Sequence, residues 1–258
     1  MKTEVLERRF AAIGARAKVV RARHVGSTRI DVGSDRRGEF FELQLAGGVE
    51  LALNVVEADR DDRCLLLLVR EDGEKSKFLC GFDERHWFVA AIPESASGVG
   101  NVASAKDALQ PELVREAVAR VRPKDRFRRR NAAYVRQGEW FFLPQWTLVV
   151  DERDLLRNEP LSRGYGKDHV LEFAFRRGGE TVYVNEAHPR GISTAEFMLL
   201  SPGQRRSGWR EMVRDPELYA TGSVRHPDHN TIVLHGWHRV LMNTEHDARA
   251  MQHVAFLD

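Results

Sequence analysis

An α+β fold, predominantly antiparallel β-sheet with a few peripheral helices, is predicted by three observations. Short runs rich in β-branched and aromatic residues recur along most of the chain, between turn signals such as EDGE and RRGG. Helical periodicity is confined to a few stretches. A chain of 258 residues, 42% of them hydrophobic, can also bury a substantial core without disulfide or metal staples.

Residues 3 to 13, TEVLERRFAAI, place Val5, Leu6, Phe10 and Ile13 at helical spacing, with Gly14 as the stop. EFFELQL (39 to 45), GVELALNVVEA (48 to 58) and RCLLLLVRE (63 to 71) read as strands, with a glycine turn at 47 and 48 joining the first two. KSKFLCGF (76 to 83) and HWFVAAI (86 to 92) continue this antiparallel meander across EDGE and DER. Residues 95 to 103 form a small polar loop. SAKDALQPELVREAVARV (104 to 121) then carries Ala108, Leu109, Leu113, Val114, Ala117 and Val121 on one stripe, and Pro111 opens a second helix or kinks the first.

RPKDRFRRRN (122 to 131) is the sharpest change of composition. It divides a β-meander with flanking helices at 1 to 121 from a β-rich region at 122 to 258, as two packed units or one continuous domain. Beyond it, AAYVRQGEWFFLPQWTLVV (132 to 150) returns to strand, with Gly138 at a turn and Pro144 interrupting the ladder. VLEFAF (170 to 175) and ETVYVNEA (180 to 187) flank RRGG as a hairpin, and a short helix is expected around 208 to 215. YATGSVRH (219 to 226) turns through Pro227 and Asp228 into NTIVL (230 to 234), and Gly236 breaks the alternation before WHRVLM (237 to 242).

Charge excludes a globally basic nucleic-acid binder, since 40 Lys and Arg nearly balance 38 Asp and Glu for a net +2. Cys64 and Cys80, on neighbouring strands, are expected to face one another as free thiols or as a disulfide; two cysteines in so long a chain do not make a secreted framework. The first 24 residues hold seven Lys or Arg and no uninterrupted apolar run of signal-peptide length, and LLLLV at 65 to 69 is far short of a membrane span. A soluble cytoplasmic protein is expected.

The densest chemistry lies in HPDHNTIVLHGWH (226 to 238), which holds four of the ten histidines: His226, His229, His235 and His238. A proline-stiffened turn aims His226 and His229 into one space, and His238 on the following strand and His169 at the start of another are candidates to join them around a divalent metal ion. Three histidines suit Zn²⁺, while two with a carboxylate suit Fe²⁺ or Mn²⁺. Asp228 or Glu245 would then orient an imidazole. Without a metal, His229 would act as a catalytic base with Asp228 fixing its tautomer. The bland alternative is a hairpin in which the histidines stack on Trp237 and bond to backbone. The spacing matches none of the strong metal signatures, neither HExxH nor a cysteine ribbon.

Negative charge on a substrate has candidate partners in Arg128, Arg129, Arg130 and Arg136. Tyr134 and Trp140 share a face with Arg136 if 133 to 140 is one regular strand, as base-stacking groups for a single-stranded nucleic acid. Lys167 in SRGYGKDH, Arg21 and Arg23 before His24, and Arg205 and Arg206 before residue 208 add basic sites; a solvated linker and aromatics turned to a core are the plain reading. Asp83, Glu84 and His86 read as turn and strand start rather than as catalysts. No GxSxG elbow is present, and neither cysteine has an activating histidine beside it. The expectation is a metal-dependent enzyme, such as a hydrolase, acting on a phosphate-containing substrate, small molecule or nucleic acid. The alternatives are a non-catalytic nucleic-acid-binding protein and a structural or protein-interaction module.

Overall fold

The computed structural model describes residues 3–22, 28–47, 51–162 and 167–248. The chain folds as a mixed helix and strand protein dominated by antiparallel sheets, with short helices. Helix α1 (Thr3–Ala11) leads into β1 (Ala17–Ala22), β2 (Arg29–Asp35) and β3 (Gly38–Ala46), a three-stranded sheet in the order β1-β3-β2. The meander follows as β4 (Leu51–Asp59), β5 (Cys64–Glu71), β6 (Glu74–Asp83) and β7 (His86–Ile92), each strand antiparallel to the next.

The EFFELQL stretch belongs to the first sheet rather than to the meander. It pairs parallel with β1 and antiparallel with β2, so both its edges are occupied and none is left for β4. Gly48 of the expected turn lies outside the described residues.

Why β5 reads as an unbroken apolar run is clear from its two faces. Leu65, Leu67 and Val69 join α1 and the first sheet in one core, while Cys64 and Leu66 join a second core under α2 (Val102–Ala108). A strand covered on both sides loses its polar alternation. The same alternation separates the thiols: Cys80 faces the first core and Cys64 the second, and both are free. Burial raises the pKa of each.

The stripe at 104 to 121 is two helices, α2 and α3 (Glu112–Val118). Asn101 and Ser104 close a capping box at the start of α2, and Pro111 sits immediately before α3, where its missing N–H costs no helical bond.

A six-stranded sheet carries most of the C-terminal region, in the order β10-β11-β15-β16-β9-β8: β8 (Val135–Gln137), β9 (Trp140–Pro144), β10 (Leu156–Leu161), β11 (His169–Arg177), β15 (Glu217–His226) and β16 (His229–Met242). On β9, Trp140 and Phe142 enter the sheet's main core, whereas Phe141 and Leu143 meet Val114 and Val118 of α3. A separate three-stranded sheet has the order β13-β12-β14: β12 (Glu180–Asn185), β13 (His188–Ser193) and β14 (Arg210–Arg214), with α4 (Thr194–Leu199) and α5 (Pro202–Arg205).

Two local expectations fail here for one reason. Because β10 and β15 occupy both edges of β11, the chain cannot fold back as a hairpin at RRGG. It crosses instead through Gly178 and Gly179, both at positive φ, into the other sheet. There the expected helix at 208 to 215 is strand β14, recruited to an edge of β12, so pairing overrides local propensity. No sheet among the described residues mixes strands from the two sides of residue 121. No helix among them is long and apolar enough to cross a membrane.

Candidate metal centre

Sheet register assembles the site. His226 ends β15 and His229 begins β16, directly opposed across the Pro227–Asp228 turn. On the other edge of β15, Val170 of β11 pairs with Arg225, so His169, the first residue of β11, arrives beside His226. Three strand ends thus converge. The ring centroids of His169 and His226 are 4.3 Å apart, those of His226 and His229 4.7 Å, and those of His169 and His229 5.6 Å. One nitrogen from each ring lies within 4.8 Å of the others, a His/His/His cluster able to coordinate a divalent metal ion. His169 is buried, and the other two are half-buried and line a cleft.

Backbone and carboxylate contacts fix the tautomers. The Asp228 N–H donates to His226 Nδ1 at 3.1 Å, so that nitrogen is unprotonated, and His226 Nε2–H donates to the Lys167 carbonyl at 3.1 Å. His229 Nδ1–H points to a Glu84 oxygen at 3.3 Å, which leaves Nε2 with its lone pair free for a ligand. Burial is the main cause holding the His226 pKa below the usual histidine value, with help from neighbouring His229 and against the pull of the Lys167 carbonyl. The ring is therefore neutral at pH 7, the form that binds a metal.

The donor set fits a borderline metal. Tetrahedral Zn–N bonds of about 2.0 Å require nitrogens roughly 3.3 Å apart, so the rings need to close by about 1.5 Å at most. Space beside them is kept by Gly138 in the β8–β9 turn, at φ +55: an added Cβ would sit 3.2 Å from His229 Nε2 and 3.7 Å from His169 Nε2. His226 would bind through Nδ1, exchanging the Asp228 N–H bond, while its Nε2–H stays on the Lys167 carbonyl.

His238 lies outside this cluster. It pairs with Ala220 and Pro144, its Nδ1–H bonds the Gly236 carbonyl at 2.9 Å, and its ring meets Trp146 edge-on. It stands nine residues along β16 from His229, and at about 3.3 Å per residue that distance, on the order of 30 Å, keeps it from the strand ends that carry the cluster. Burial lowers its pKa.

Asp228 faces Lys167 at 3.0 Å rather than an imidazole. Burial opposes its charge, yet Lys167 outweighs burial and keeps its pKa below the usual carboxylate value. Glu245, buried after β16, lines the cleft.

The cleft, about 1100 Å³, lies between the β6–β7 and β8–β9 hairpins, with Trp87, Phe88, Phe127 and Phe141 among its walls. Its arginines are engaged. Arg129 binds Asp83 and Glu84, each at 2.7 Å, and Arg136 binds Asp83 at 3.1 Å and the Gly138 carbonyl at 2.8 Å. Arg128 pairs with Asp125 at the rim. Among the described residues, Lys124 is the one cleft-lining Lys or Arg outside a salt bridge.

Arg130 is exposed beside a backbone bridge to Val135, away from the cleft. Tyr134 and Trp140 do not share an open face, because the chain turns at Gly138. Tyr134 is 1% exposed with its hydroxyl on the Arg126 carbonyl, and Trp140 is 7% exposed in the sheet core. Arg23 and His24, like residues 163 to 166 of the SRGYGKDH turn, lie outside the described residues.

Sequence reasoning left Glu84 in a turn. Its signal was the acidic pair in DERH, but nothing local joins it to a histidine 145 residues away. Compared with known proteins, the chain matches no family model, no curated protein and no solved structure.

Proposed function

We propose that the chain is a metal-dependent enzyme whose metal is held by His169, His226 and His229 and whose substrate lies in the adjoining cleft. The observation that carries this reading is the cluster's place beside a large, partly apolar cleft, with His226 and His229 in its lining. Three imidazole nitrogen donors favour zinc, cobalt, nickel or copper over magnesium or calcium, which prefer oxygen ligands. A divalent ion held there supplies Lewis-acid polarisation of a substrate oxygen.

The finer reading is a small substrate carrying a phosphate group. Lys124, with Arg128 and Lys167 at the rim, would take its negative charge, while Arg129 and Arg136 hold the two hairpins around it. Buried Tyr134 and Trp140 give no stacking surface for a nucleic-acid strand.

Hydrolysis of p-nitrophenyl phosphate by chelator-stripped protein, with and without added Zn²⁺, tests this reading. The expected result is a zinc-dependent rate that is lost in His169→Ala and reduced in Lys124→Met. Zinc bound with no turnover of this or a phosphodiester probe contradicts the phosphate reading and leaves the metal centre standing.

A further inference from the structure

We infer that Glu84, at the tip of the β6–β7 hairpin, is the carboxylate that positions His229 as a metal ligand, so that the centre is completed by the N-terminal half of the chain. The inference rests on the metal reading above and deepens it.

A metal-bound imidazole holds its ring and tautomer through the second N–H, most often on a carboxylate or carbonyl. His226 has the Lys167 carbonyl for this purpose. For His229 the group is Glu84, whose Oε2 lies 3.3 Å from Nδ1 and also accepts the Asn230 N–H at 3.1 Å. The same carboxylate therefore grips both the ring and the backbone that follows it.

Glu84 is itself held. Its side chain is 5% exposed, and Arg129 Nη1 binds the other oxygen, Oε1, at 2.7 Å. Asp83 takes Arg129 Nε and Arg136 Nη2, and Arg136 reaches on to the carbonyl of Gly138, the residue that leaves room beside the His229 and His169 nitrogens. Glu84 adopts φ +53, a left-handed conformation that costs a non-glycine residue about 1 kcal/mol or more. In that conformation the hairpin tip presents its carboxylate to His229. Arg85 at the same tip binds the Asn230 side chain, a contact that docks the hairpin without touching a ring.

Glu84 is thus a positioning residue, and the charge of its carboxylate, beyond its shape, should set metal affinity. Zn²⁺ titration, with circular dichroism to confirm folding, compares the wild type with Glu84→Gln, isosteric but neutral, and with Arg85→Ala as a control for hairpin docking. The expected result is a 10- to 100-fold weaker Kd in Glu84→Gln, about the loss typical of such outer carboxylates, and less than a threefold change in Arg85→Ala. A Glu84→Gln affinity within twofold of wild type overturns the inference, and so does an equal loss in both variants. A wild type that binds no zinc instead defeats the metal reading beneath it.

Should Glu84→Gln not fold, long-range ¹H–¹⁵N NMR of the metal-free wild type decides the point. His229 is expected as the Nδ1–H tautomer, and a predominant Nε2–H form overturns the role.

Discussion

At His226 and His238 burial lowers the pKa, and this sets a pH dependence whose sign follows directly. Each ring titrates near 6.5 in the unfolded chain and lower in the fold, so below about pH 6.5 the unfolded state binds more protons. Stability from this source is complete above that pH and is lost as pH falls through the folded values. Chemical denaturation of metal-free protein should accordingly give a lower midpoint at pH 5.5 than at pH 7.5, with the gap narrowed in His226→Gln and His238→Gln. The two residues part company over metal. His226→Ala should lose zinc, whereas His238→Ala, removing a ring that bonds Gly236 and packs on Trp146, should keep it within a fewfold of wild type by titration.

Strand ends and turns do the positioning at the scale of elements, and two glycines test how strictly. Gly138→Ala must take φ +55 and place a methyl 3.2 Å from His229 Nε2, so a loss of about 1 kcal/mol in stability should come with a larger loss of zinc affinity. Gly179→Ala, at φ +91, would meet Val213 at 2.5 Å and the Arg214 carbonyl at 2.8 Å where the chain crosses between sheets. It should cost roughly 2–5 kcal/mol in denaturant unfolding while sparing the metal site of any folded fraction.

Elements of this kind were legible in the sequence where their partners are near. The β4–β7 meander and the β15–β16 hairpin could be read because tight turns join consecutive strands of clear pattern. β1 could not, because KVVRA is short and its parallel partner β3 comes only after β2. RRGG looked like a hairpin because sequence does not reveal that both edges of β11 are already taken. Of the site, His226 and His229 were legible from the four-residue stretch HPDH, and His169 from the tendency of strand ends to gather at one edge of a sheet. Glu84 belongs to a contact between distant segments, which no local pattern encodes.

Across the whole molecule, the cleft is walled by hairpins from both halves, and the Asp83–Glu84–Arg129–Arg136 network ties them together next to the histidines. A ligand that binds only this assembled state stabilises it by about 2.7 kcal/mol when present at 100 times its Kd. The most direct test of the central claim is the zinc content of untagged protein, loaded with Zn²⁺ and dialysed, for the wild type and a folded His226→Ala, His229→Ala double variant. One ion retained per wild-type chain, absent from the double variant, is the expected result. A wild type that retains none, or a double variant that retains as much, would contradict it.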